Sequence, residues 1–139
     1  MSFSQRGSDI DGEDAGDQSG TSVSLSSDGS ILAIGAFDND GSFSNAGHTR
    51  IYEWDGSAWV QRGSDIDGEA LEDTSGRSVS LSSNGNIVAI GANNNDGTGS
   101  DAGHVRLYVW DDSVGISGDW VQLGTDIDGE AADDYSRQV

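Results

Sequence analysis

Three acidic segments hold the residues of this chain best suited to chemistry: Asp9-Ile10-Asp11-Gly12-Glu13, Asp65-Ile66-Asp67-Gly68-Glu69 and Asp126-Ile127-Asp128-Gly129-Glu130. Along an extended backbone alternate residues project to one side, so each segment aligns three carboxylates. Asp9, Asp11 and Glu13, Asp65, Asp67 and Glu69, and Asp126, Asp128 and Glu130 are therefore candidate oxygen ligands for calcium. A helix-loop-helix calcium loop would need its glycine and a distant bidentate glutamate in a fixed frame, and that frame is absent. The same spacing fits a plainer task, in which the aspartates cap turns and accept backbone N–H bonds. The expectation is the capping role with no cofactor, and calcium is the cation to test for.

A second cluster, Asp38-Asn39-Asp40-Gly41, reads Asn94-Asn95-Asp96-Gly97 further on, and the lost carboxylate favours an exposed Asx turn over a metal loop. His48 and His104 are the only histidines and stand in equivalent places. Imidazoles can ligate zinc or move a proton, yet a residue set once per structural unit is expected to serve the unit itself. Arg50 and Arg106 are expected to pair with aspartates or to stack on neighbouring Tyr and Trp. Outside the repeated pattern stands no Ser-His-Asp grouping, phosphate-binding glycine loop or close carboxylate pair, which points away from an enzyme.

These side chains belong to a chain that repeats itself. FSQRGSDIDGEDAGD from Phe3 returns as WVQRGSDIDGEALED from Trp59 and as WVQLGTDIDGEAADD from Trp120. Gln61 follows Gln5 by 56 residues and Gln122 follows Gln61 by 61, the surplus lying in the insertion DDSVGISGDW. The copies agree at roughly two positions in three, so the repeat is the unit to explain. The 139 residues hold about two full copies, and the chain reads as a piece of a longer array.

With 25 acidic residues, six arginines and no lysine, the formal charge is -19. Such a field repels nucleic acid and anionic lipid; cations are its natural small partners, and solvation its plainest use. The absence of cysteine excludes disulfide scaffolds, thiol catalysis and thiolate metal sites. No apolar run approaches membrane-spanning length, and MSFSQRG lacks signal-peptide character, so any export signal is expected in a part not present here.

The pattern within a repeat has the period of strands. SVSLS at 22–26 and 78–82 alternates apolar and very small residues, and Asp28-Gly29 or Asn84-Gly85 then marks a tight hairpin turn. ILAIGA at 31–36 and IVAIGA at 87–92 are continuously apolar, as for strands covered on both faces. A polar loop leads to HTRIYEW and HVRLYVW, with His, Arg, Tyr and Trp on one face. A fourth strand is expected over 59–66, with copies from Phe3 and Trp120 whose large rings each fill a slot at the outer edge. Four antiparallel strands per repeat, small residues at one end and aromatics at the other, describe an all-β chain of β-propeller blades. The expected division is residues 1–15 as the outer strand of a preceding blade, 16–72 and 73–132 as two blades, and 133–139 as a truncated next repeat.

The segments SGTSVSLSSDGSILAIGAFDNDGSFSNAGHTRIYEW and SGRSVSLSSNGNIVAIGANNNDGTGSDAGHVRLYVW resemble FG-GAP repeats, the blades of integrin-type propellers. They are still more similar to the WVQ-x-G-x-DIDGEA repeat proteins of marine and other environmental bacteria, many of them secreted. Two departures matter. Ser19-Gly20 and Ser75-Gly76 replace the Phe-Gly pair, and the loops at 26–30 and 82–86 are too short for the calcium that many FG-GAP blades hold there. The resemblance implies a secreted or surface-exposed, non-enzymatic binding or scaffolding module with a protein or glycan ligand. Two other functions stay open: a purely architectural, self-assembling repeat, with Phe43 and Ile116 as exposed loop residues to examine, and a fragment of a propeller enzyme acting on polysaccharide. Open terminal blades would favour a homo-oligomer.

Overall fold

The computed structural model describes residues 2–40, 45–70, 72–92 and 103–128. All regular elements among them are strands, in two antiparallel sheets. The first sheet comprises Ser22–Leu25 (β1), Ile31–Ala36 (β2), His48–Trp54 (β3), Trp59–Gln61 (β4) and Ile66–Asp67 (β5). The second comprises Ser75–Leu81 (β6), Ile87–Ala92 (β7), His104–Asp111 (β8), Asp119–Gln122 (β9) and Ile127–Asp128 (β10). Each is a meander, and the two do not join into a closed structure. Register agrees between them: Val23 opposes Ile34 and Ile34 opposes Arg50, while Val79 opposes Ile90 and Ile90 opposes Arg106. Among the described residues no helix is long and apolar enough to cross a membrane.

The first hairpin of each sheet turns as the sequence implies. Gly29 and Gly85 adopt φ of 73° and 75°, a conformation that costs glycine nothing, and donate to the carbonyls of Ser26 and Ser82 at 3.0 and 2.9 Å. Asp28 and Asn84 brace the turns through one side-chain oxygen each.

The fourth strand departs from expectation. A single strand over 59–66 does not form; β4 pairs one end of β3, β5 pairs the other, and β9 and β10 divide β8 in the same way. The break falls at Gly63 (φ 78°), where Ser64 turns to donate its N–H and hydroxyl to Asp119, both at 2.9 Å; Gly124 (φ 79°) marks the other break. The copy beginning at Phe3 forms no strand and pairs with none of the described strands, and Phe3 is 98% exposed instead of filling an edge slot. Trp59 is half-buried and Trp120 buried. Each indole donates to a carbonyl of an earlier copy, Arg6 O and Arg62 O, at 2.9 Å, and meets Trp54 or Trp110 edge-on at 5.4 Å.

The sheets stack with β6 against β1 and β2. Small residues permit it: a Cβ on Gly35 would lie 2.0 Å from the Gly76 carbonyl, so a methyl group there would push the layers apart. Ser22 Oγ donates to that carbonyl at 2.7 Å, and Ser24 Oγ accepts the Leu81 N–H at 2.9 Å. Ile31, Ala33, Ile51 and Ile66 of the first sheet and Val79, Val88, Ile90 and Trp120 of the second form one core between them. Burial of this apolar area is the main source of cohesion between the layers.

Candidate functional site

His48 and His104 head β3 and β8, where the short outer strands bring acidic residues opposite: His48 faces Asp67, and His104 faces Asp128. Both imidazoles are 1% exposed. His48 Nδ1 lies 3.5 Å from Glu13 Oε1, 3.6 Å from Asp65 Oδ2 and 3.9 Å from Asp67 Oδ1. His104 Nδ1 lies 3.4 Å from Glu69 Oε1, 3.5 Å from Asp126 Oδ2 and 3.8 Å from Asp128 Oδ1. In neither ring does Nδ1 make a hydrogen bond, and Nε2 of His104 is likewise buried and unpaired.

The acidic segments therefore do not act as units. Asp65 and Asp67 turn to His48 while Glu69 of the same segment turns to His104, and the Glu13 that completes the first cluster comes from the previous copy. Asp9 accepts a hydrogen bond from Gln5 at 2.7 Å, and Asp11 offers its carbonyl to Arg50 at 2.7 Å; neither meets a histidine among the described residues. Glu130 lies outside the described residues.

The expected capping role is not what Asp65, Asp67 and Asp126 perform, since no described backbone N–H bonds to their carboxylates. Capping falls to Asp17 and Asp73, whose Oδ2 atoms accept the N–H groups of Asp14 and Ala70 at 3.2 and 3.0 Å. Extended backbone aims the segment's carboxylates at side chains, and the helical or turn geometry that a cap needs begins only after it.

Neighbouring amides orient the acids. Gln61 Nε2 holds Asp65 Oδ1 at 2.6 Å and Gln122 Nε2 holds Asp126 Oδ1 at 2.6 Å, leaving each Oδ2 for its histidine. Asn39, buried, donates to Glu13 Oε1 at 3.3 Å and to Asp17 Oδ2 at 2.8 Å. Asp40 Oδ1 accepts the N–H of Asn45, five residues on, at 2.7 Å, and Asn39 is buried, so the described part of this cluster does not form the expected exposed Asx turn; its counterpart around Asn95 lies outside the described residues, as does Phe43. Arg50 and Arg106 stack on Tyr52 and Tyr108, 5.6 and 5.5 Å from the ring centres, and Arg106 reaches the Asp67 carbonyl at 2.9 Å. The arginines thus stack as expected but take backbone carbonyls in place of carboxylates.

The electrostatics are crowded. Burial raises the Asp67 carboxyl above its ordinary value, with Asp65 adding to it. Burial also raises Glu69, and Asp126 pushes the same way against Arg106. Burial, then Arg106, lowers His104 and so favours its neutral form. Glu13, His48 and Asp65 on one side, and Glu69, His104 and Asp126 on the other, each gather their ligand atoms within 4.8 Å, close enough to share a cation.

The short hairpin loops at 26–30 and 82–86 do not fit a calcium ion. Asp28 Oδ1 already accepts Ser26 Oγ, Ser30 N and Ser30 Oγ at 3.0, 2.9 and 2.7 Å, and the equivalent Asn84 carries no charge. The sequence predicts a structural task for the histidines, set once per repeat. The signal that locates the clusters is register: an antiparallel outer strand sets the second aspartate of each segment across from the histidine that begins the third strand.

No protein-family model matches the chain, and no curated protein sequence matches it significantly.

Proposed function

We propose that the chain is a non-enzymatic binding and scaffolding module, two successive blades of an FG-GAP-like β-propeller array that works outside the cell and takes a glycan ligand. The observation that carries this reading is an open groove of about 490 Å³ at the outer edges of the two sheets, lined by Trp54, Trp110, Glu53, Gln61 and Arg62, with Ser117 from the insertion. Aromatic rings offer flat apolar faces to sugar C–H groups, while carboxylate, amide and guanidinium bond the hydroxyls. The insertion is the one element of the second copy without a counterpart in the first, so it gives the groove a shape that repetition alone would not. Blade-like stacking of small-residue inner strands supports the propeller reading.

A glycan array followed by titration tests the proposal. Glu53→Gln with Gln61→Ala, both exposed, should weaken binding about tenfold, equivalent to about 1.4 kcal/mol, with little change in melting. Silence across the array, or conversion of any bound saccharide to product, would count against it.

Self-assembly is a second reading with its own observation. Val23 and Leu25 present an apolar pair that nothing among the described residues covers, at 60% and 57% exposure, whereas the equivalent Val79 is buried and Leu81 packs on the core. A second copy that packs its β6 side against this face would repeat the internal interface head to tail. Light scattering that finds only monomer at tens of micromolar would remove this reading.

A further inference from the structure

We propose that each of the two histidine-carboxylate clusters binds a divalent transition-metal cation of the zinc class, one held by His48, Glu13, Asp65 and Asp67, the other by His104, Glu69, Asp126 and Asp128. The inference concerns ligands that do not line the groove, although Gln61 touches both, and it is read by metal binding to the unaltered chain whether or not a glycan binds.

The histidines carry the argument. If Nδ1 bears the proton, it finds no acceptor within the roughly 2.7–3.2 Å of an N–H···O bond, the nearest oxygens being at 3.5 Å for His48 and 3.4 Å for His104. If it bears the lone pair, three carboxylates surround that lone pair. Neither state satisfies a ring that is 1% exposed, and an unsatisfied buried polar atom is costly. A cation among the ligand atoms of His48, Glu13 and Asp65, or of His104, Glu69 and Asp126, which lie within 4.8 Å of one another, satisfies the imidazole and the acids at once, with Asp67 and Asp128 as outlying fourth groups at 3.9 and 3.8 Å from Nδ1.

The spacing suits coordination. Zinc bonds of about 2.0–2.1 Å in a tetrahedron set ligand atoms about 3.3–3.4 Å apart, and the two shortest contacts in each cluster are 3.5 and 3.6 Å or 3.4 and 3.5 Å. The carboxylates are partly exposed and can draw in toward the nitrogen and one another, whereas the histidines are fixed in the sheet. Gln61 and Gln122 hold the distal oxygens of Asp65 and Asp126, and Asn39 bonds Glu13, an outer layer of the kind that orients metal ligands. The imidazole argues against calcium, which prefers six to eight oxygens, and for a metal that accepts nitrogen. Occupancy would also tie together acids from two copies of the repeat, clipping Glu13 to Asp65 and Glu69 to Asp126.

The experiment is a calorimetric titration of the chelator-stripped chain at pH 7 with zinc chloride, and separately with calcium chloride. We expect two zinc ions per chain, a saturable rise in melting temperature, and at least tenfold weaker calcium binding; cobalt(II) in place of zinc should give the visible absorption of low-coordinate sites with nitrogen ligation. Asp65→Asn with Asp67→Asn should leave one zinc per chain, the intact His104 cluster reporting that the fold persists. Glu13→Gln should weaken only the first site. Zinc binding absent or at another stoichiometry in the unaltered chain, calcium bound as tightly as zinc, or two undiminished sites in the double variant would each overturn the proposal. The unaltered chain decides on its own, so a variant that fails to fold does not shelter it.

Discussion

Val23 and Leu25 in the first sheet hold the same positions as Val79 and Leu81 in the second, yet the first pair stands in solvent and the second lies against a neighbouring sheet. Backbone pairing is the same in both, down to the register with Ile34 and Ile90. The difference lies in what is stacked alongside. The second sheet has β1 and β2 beneath it, while the first has residues 2–21, which form no strand but still deliver Arg6 to the Gly29 carbonyl, as Arg62 reaches Gly85, and Glu13 to His48, as Glu69 reaches His104. A segment without sheet partners can therefore complete a site that depends on a few side chains, but it cannot cover an apolar face.

The edge tryptophans give the largest test of this contrast. Trp120 belongs to the core between the sheets, so Trp120→Ala should cost about 3–5 kcal/mol in denaturant unfolding. Trp59 makes the same indole bond and the same edge-on ring contact but is only half-buried, and Trp59→Ala should cost about half as much. Equal losses would show that the hydrogen bond and ring pair, rather than the stacked layer, set the value of the position.

A smaller effect separates the valines. Val79→Ala removes buried methyl groups from the interface and should cost about 2 kcal/mol, whereas Val23→Ala should stay within about 0.5 kcal/mol in dilute solution. A loss at Val23 that grows with protein concentration would mean that a second copy covers this face.

Much of this was legible in the residues. Alternation in SVSLS, the Asp-Gly and Asn-Gly turns and the apolar third of each repeat foretold three strands per sheet, because period and turn chemistry are local properties. What local pattern does not contain is a partner. The segment from Phe3 repeats β4 and β5 except that Phe3-Ser4 replaces Trp59-Val60, but it pairs with no described strand, and its ring stays in water. The acidic segments misled for a related reason: three carboxylates on one side of one strand suggested one site, whereas stacking sends Asp65 and Asp67 to one histidine and Glu69 to another. That partition is set by how the two sheets sit against each other, and no single repeat encodes it.

The finest distinction between the sheets lies in the first hairpin, where Asp28 and Ser30 stand in place of Asn84 and Asn86. Asp28 and Asn84 brace equivalent turns, each through Oδ1, which accepts the hydroxyl two residues before and the N–H two residues after. Arg6 and Arg62 donate to the following glycine carbonyls at 3.0 and 3.1 Å, but Ser30 adds a hydroxyl bond to Asp28 at 2.7 Å, whereas Asn86 in the same place accepts Arg62 Nη2 at 3.1 Å. Only Asp28 titrates. Hydrogen bonds from the Ser30 hydroxyl, the Ser30 N–H and the Ser26 hydroxyl hold its carboxyl below the ordinary 3.8. A depressed folded value means that the contribution is complete above 3.8 and is lost as pH falls through the lower, folded one. The Ser30 amide should therefore shift, and exchange faster, with a midpoint below 3.8, while the Asn86 amide keeps its protection through the same titration. Asp28→Asn should silence the response at Ser30, and Asn84→Asp should create one at Asn86. The measurement is a pH series of amide chemical shifts from 5 to about 2. A Ser30 midpoint at or above the ordinary aspartate value, or equal movement at both amides, would show that the Asp28 carboxylate and its hydrogen bonds do not set the two turns apart.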